Sequence, residues 1–158
     1  MKRLLMIILI LIFVPNLLKA AEFTWNGSSI VSKVHEIVLP DGIKHLSFKT
    51  KGGISLITGK YAISTCSGLR TDKDKKLIEL RIICSLDIND GYQIWTELRR
   101  DKGESMAGVG KLVVVNATGP YTALINQECI YAVSYFNEFV FSKIQCEISS
   151  NILNQLNS

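Results

Sequence analysis

The sequence predicts an all-β protein, a closed antiparallel barrel of about eight strands, with a two-sheet sandwich as the alternative. Three observations predict it. Ile78, Leu80, Ile82, Cys84, Leu86 and Ile88 are all apolar, with Glu79, Arg81, Ser85 and Asp87 between them, a period of two that sets one face in a core and the other in water. Turn residues recur every ~8 to 15 residues, so strands can follow one another as hairpins without crossover helices. No long segment carries the 3.6-residue period of an amphipathic helix.

Taken in order, the chain opens with Met1-Lys2-Arg3 and an apolar run of eleven residues, Leu4 to Val14. That run falls short of the ~20 residues that cross a bilayer, so residues 1–20 read as a secretory signal peptide cleaved after Ala20. An uncleaved anchor, counting Pro15, Leu17 and Leu18, is the alternative. Either way the domain is expected outside the cytoplasm, in the periplasm or secreted, with no stable membrane span after cleavage. Residues 21–148 read as a single barrel domain and residues 149–158, rich in Asn and Ser, as a flexible tail.

Within the domain, Ile30 to Leu39 and Ile43 to Thr50 are strands across the turn Pro40-Asp41-Gly42. Ile54 and Leu56 hold even positions, whereas Tyr61, Ile63 and Thr65 hold odd ones, which makes Gly59 a candidate β-bulge or sharp bend. Arg70 to Lys76 reads as a solvated loop. Ile78 to Ile88 pairs with Tyr92 to Leu98 through Asn89-Asp90-Gly91, residues that tolerate positive φ. Gly110 to Ala117, Tyr121 to Ile125, Glu128 to Tyr135 and Val140 to Ile148 complete the set.

The formal charge is +4, from 18 Lys and Arg against 14 Asp and Glu. Without Lys2, Arg3 and Lys19 the basic count drops to 15, which leaves a net charge of +1. A near-neutral surface argues against a nucleic-acid partner, which needs clustered positive charge.

Cys66, Cys84, Cys129 and Cys146 form an even set in an exported chain and predict two disulfides. A turn at Phe136-Asn137-Glu138-Phe139 places position 129 opposite position 146, within disulfide reach. Cys66 with Cys84 follows by elimination, although a simple hairpin centred on the 70–76 loop would not set the two in register. C-x-x-C is absent and neither His lies near a Cys in sequence, so a redox or metal role has no support.

Catalytic signals are sparse. His35 and His45 are the two histidines, and no G-x-S-x-G, H-E-x-x-H or phosphate loop occurs. No catalytic residue, metal or cofactor is assigned. Gly108-Val109-Gly110 has Val113 where a dinucleotide fingerprint needs its third glycine. Asp87 to Gly91 resembles part of a calcium loop but lacks its spacing and closing Glu. Trp25 and Trp95, with Tyr92, Tyr121, Tyr131 and Tyr135, are candidates to line a pocket.

Cys66-Ser67-Gly68, Cys84-Ser85-Leu86-Asp87 with Asn89-Asp90-Gly91, and Gly108-Val109-Gly110-Lys111 with Gly119-Pro120-Tyr121 carry a family resemblance. In these stretches the chain resembles small exported bacterial β-barrel proteins similar to the allene oxide cyclase-like barrels. It departs from them at Tyr92, Val114 and Asn116. The resemblance implies a closed antiparallel barrel with no assigned activity, and it favours pairing Cys66 with Cys84.

The functional expectation is a non-enzymatic module that binds a small, mostly apolar ligand in the barrel mouth or presents a surface to an envelope protein. The alternative is a cofactor-free isomerase or cyclase that uses the barrel interior. That alternative needs inward-facing acid-base groups, for which His35, Glu36 and Glu138 are the candidates.

Overall fold

Eight long strands, joined for the most part by tight turns, wind once around a common interior. The computed structural model describes residues 20–157; the expected signal peptide, apart from Ala20, lies outside them. The strands are β1 (Ala20–Val38), β2 (Lys44–Leu56), β3 (Tyr61–Lys73), β4 (Lys76–Ile88), β5 (Gln93–Arg100), β6 (Gly103–Glu104), β7 (Ala107–Ala117), β8 (Glu128–Phe136) and β9 (Phe139–Ser149). Each long strand pairs antiparallel with the next, β5 pairs with β7, and β9 returns to β1, where Ala20 meets Ser149 and Ile30 meets Phe139. The two-residue β6 lies beside the start of β4. The ladder therefore closes into an up-and-down barrel, and a sandwich is excluded.

Period-two patterning builds this interior directly. Ala62, Ser64, Cys66 and Gly68 on β3 and Cys84, Leu86 and Ile88 on β4 are buried, while the residues between them on β3 face solvent. Both disulfides lie in the interior. Cys66 pairs with Cys84 across β3 and β4, and Cys129 with Cys146 across β8 and β9, each pair in direct register.

Three local expectations are corrected, and a fourth is decided between its alternatives. Gly59 is a sharp bend and not a bulge; with φ of 78° it closes the β2–β3 turn, where its N–H donates to the Leu56 carbonyl at 2.9 Å. The phase change around it is a change of strand. Residues 70–76 are not an open loop, because β3 runs on to Lys73 and turns at Asp74 and Lys75, both at positive φ, as a two-residue hairpin turn requires. A register shift between Thr71 and Asp72 then brings Cys66 opposite Cys84.

Tyr121 to Ile125 is not a strand. Gly119–Leu124 form a 3₁₀ turn started by Pro120, and Tyr121 and Leu124, three residues apart, share its buried side. The tail expected over 149–158 is not free either: Ser150–Asn157 form helix α1, with Leu156 buried. The 3₁₀ turn and α1 contact each other and close one end of the barrel. At the opposite end β1 and β2 extend beyond β9, with exposed Val34, Ile37, Val38 and Leu39 near their tip.

Candidate functional site

The inward residues do not fill the barrel completely. They leave a cavity of about 110 Å³ in the half away from α1, walled by Trp25, Phe48, Leu80, Leu112, Tyr131 and Ile144. Ser29, Thr50, Ser64, Thr96 and Ser142 add small hydroxyls to an otherwise apolar lining. The Cys66–Cys84 disulfide contributes to the wall, whereas Cys129–Cys146 lies deeper toward the capped end. A space of this size matches the body of a single small molecule, comparable with cavities that accept a benzene ring.

Glycines shape the polar side of this lumen. On β7, Gly108 and Gly110 occupy the inward phase shared with Leu112, and pair with Val133 and Tyr131 of β8. A Cβ at position 108 would collide with the Arg100 guanidinium, and one at position 110 with the Tyr131 ring. The absence of two side chains thus lets Arg100 from β5 and Tyr131 from β8 lie over the same strand from opposite sides. Gly68 does the same on β3 for the Phe48 ring.

Arg100 is 4% exposed, and Tyr131 is 0% exposed. The Arg100 Nη2 donates to the Glu104 carbonyl at 3.2 Å. Its Nε and Nη1, and the Tyr131 hydroxyl, have no hydrogen-bond partner among the described residues. Nor does any carboxylate among them form an ion pair with Arg100. Burial pushes the Tyr131 phenol up to about 12, with Arg100 pulling it back and Tyr135 and Asp101 opposing that pull. The phenol is therefore a neutral donor at physiological pH.

The nearby Arg70 is arranged in the opposite way. Its Nε and Nη2 donate to the two Asp72 oxygens at 2.6 and 2.9 Å, a two-pronged charge-assisted pair. The Ser105 hydroxyl lies 3.1 Å from Asp72 Oδ1 and 2.7 Å from the Lys75 carbonyl, and can donate to either. One arginine at this end is neutralised by its own strand, and the other is not.

Of the aromatic residues expected to line a pocket, Trp25, Tyr131 and Tyr135 do so. Trp95, Tyr92 and Tyr121 do not. Trp95 falls on the outward phase of β5, opposite Ser85 and Asn116. Tyr92 is exposed at the β4–β5 turn and meets Tyr121 edge to face, with ring centroids 6.4 Å apart. Tyr121 is a plug at the capped end, where its hydroxyl donates to Asp90 Oδ2 at 3.2 Å. Asp90 also takes Lys60 at 3.0 Å, so the turn once compared with a calcium loop is tied by an ammonium instead.

His35, Glu36 and Glu138 are all exposed. Lys33 lies 3.1 Å and Lys44 3.8 Å from Glu36, and the hydrogen bond from Lys33, helped by both charges, holds its carboxyl below the ordinary value. His45 also faces solvent, with Nδ1 3.1 Å from the Thr71 hydroxyl. Among the described residues no cluster of His, Cys, Asp and Glu could hold a metal ion. Sequence reasoning missed Arg100. The signal for it was present as alternate glycines on β7 opposite an arginine in the inward phase of β5.

No family model matches the chain, and no curated protein matches it in sequence. Among solved structures the chain is similar to a protein of unknown function from Clostridium acetobutylicum ATCC 824, with a TM-score of 0.66 and 14% identity. The match covers 82% of this chain and 97% of that one. At that identity the likeness is one of fold.

Proposed function

We propose that the protein is an exported binding module that takes a small, mostly apolar ligand into the open half of its barrel. The observation that carries this reading is the 110 Å³ apolar cavity between the capped end and the mouth. Closed barrels of about this strand number have interiors that either fill with side chains or hold one small ligand. Here glycines and short hydroxyl side chains stand where larger residues would fill the space. Export is supported by the two disulfides, which suit an oxidising compartment. No helix among the described residues is long and apolar enough to cross a membrane.

The isomerase or cyclase alternative is weakened, because the three residues named for it face water. An envelope-interaction role draws on a different observation, the exposed Val34, Ile37, Val38 and Leu39 at the overhanging β1–β2 tip. Mass spectrometry of the exported protein without reductant separates the readings. A small extra mass present under native and lost under denaturing conditions is expected for a lumen ligand. A bare monomer, or an oligomer with nothing bound, would count against it.

A further inference from the structure

We infer that the lumen ligand is an uncharged molecule with a hydroxyl or carbonyl oxygen, which Thr96 and Thr50 receive beside the Cys66–Cys84 disulfide. This rests on the lumen-binding reading and adds the chemical class of the ligand. Thr96 is the central observation. It is 1% exposed and lines the cavity, and its hydroxyl makes no hydrogen bond to any described residue.

A buried hydroxyl left without a partner is destabilising, and valine would fill the same space without that cost. Thr96 is shut off from bulk water, so the cavity is where its hydroxyl finds a partner. Strand pairing sets a second hydroxyl on the same rung. Thr50 faces Cys66, Cys66 faces Cys84 and Cys84 faces Thr96, in direct register across β2, β3, β4 and β5. The disulfide ties the two middle strands, and a threonine stands on either side of it. Thr50 is half-buried, lines the same cavity and also makes no hydrogen bond to a described residue. Ser64, by contrast, is engaged, with its Oγ 3.3 Å from Cys66 Sγ.

The rest of the lining argues for a neutral ligand. Arg70 is the one charged side chain in the wall, and it gives two donors to Asp72 at 2.6 and 2.9 Å. An entering anion would meet the Asp72 carboxylate beside that guanidinium, and an entering cation would meet no carboxylate in the lining. Either charge would be buried without a counter-charge of its own. A neutral oxygen suits the two threonines, because each hydroxyl can donate or accept. The apolar body then rests on the remaining wall, of which Phe48, Leu98 and Leu112 are part, and the volume bounds it to about one aromatic ring.

The test is calorimetric titration of the full, disulfide-bonded chain at pH 7 with phenol, toluene and benzoate. Phenol and toluene have nearly one shape and differ in the oxygen, whereas benzoate brings a charge. Phenol and toluene should both bind, and benzoate should bind more weakly than phenol by about tenfold or more. In Thr96→Val the affinity for phenol relative to toluene should fall about fivefold, the scale of one neutral hydrogen bond. Thr50→Val should give a smaller fall and serves if the first variant does not fold. An unchanged ratio in both variants, or binding of toluene alone, would overturn the threonine assignment and leave the lumen reading intact. Benzoate binding as tightly as phenol would overturn the uncharged class. Binding of none of the three would overturn the lumen reading as well.

Discussion

The two ends of the barrel are built to opposite rules. At the capped end Phe23, Ile94, Tyr121, Leu124 and Leu156 are completely buried, and of the buried side-chain polar atoms there only the Thr58 hydroxyl, in the β2–β3 turn, has no hydrogen-bond partner among the described residues. Lys60 reaches Asp90 at 3.0 Å and the Leu156 carbonyl at 3.4 Å, and passes 5.6 Å from the centre of the Tyr121 ring. At the mouth the interior holds arginines, hydroxyls and a cavity, and Arg100 is left with open donors. The contrast teaches that stability is concentrated at one end, which frees the other to keep groups that a stable core would exclude.

Substitutions can break this comparison, and the largest effect belongs to the cap. Leu156→Ala should lower the unfolding free energy by about 2 to 5 kcal/mol, the range for truncating a buried leucine, as read by urea denaturation. A loss below the sensitivity of that measurement would mean that α1 is not part of the cooperative unit.

A smaller effect is expected at the Asp90 knot. Partial burial pushes the Asp90 carboxyl up, but Lys60, the Tyr92 N–H and the Tyr121 hydroxyl outweigh it and hold it below its ordinary value. A carboxyl depressed on folding adds stability above its unfolded pKa near 4, and that stability is lost as pH falls through the folded value. Tyr121→Phe should cost about 1 kcal/mol at pH 7. It should also flatten the dependence of stability on pH below about pH 4, and an unchanged slope would remove Tyr121 from the knot.

The mouth should respond with the opposite sign. Arg100→Met removes an unpaired buried charge and keeps most of the volume, so the unfolding free energy should rise by about 1 kcal/mol in protein freed of any bound molecule. A fall of similar size would show that Arg100 is a structural element, and the two ends would no longer differ in kind.

Much of the barrel was legible in the sequence because strands with one wet face must alternate. Leu80 to Ile88, its turn at Asn89-Asp90-Gly91 and the strand from Tyr92 are the clearest case. Ile78, expected on the core face, is instead exposed and Leu77 is buried, because the register shift opposite Thr71 and Asp72 leaves Ile78 unpaired. The first half of β1 was missed because its interior side is Phe23, Trp25, Gly27 and Ser29, in which two small residues erase the period. Helix α1 was missed because eight residues carry too few turns to display a helical period, and Ile152, Leu153 and Leu156 become apolar anchors only against the finished barrel. Trp95 was misplaced among pocket residues because aromatic identity says nothing about phase, and the bulge between Trp95 and Thr96 is invisible before strands are paired. The Arg100 site was illegible for a related reason: it depends on three neighbouring strands, with glycine in the middle one.

The central claim is that the lumen, and not the overhanging β1–β2 tip, takes an apolar ligand. Two-dimensional NMR of the isotopically labelled protein titrated with benzyl alcohol tests it most directly. The account predicts side-chain shifts confined to lumen residues such as Trp25, Leu112 and Ile144, with Val34, Ile37, Val38 and Leu39 unmoved. Shifts restricted to those four tip residues would contradict it.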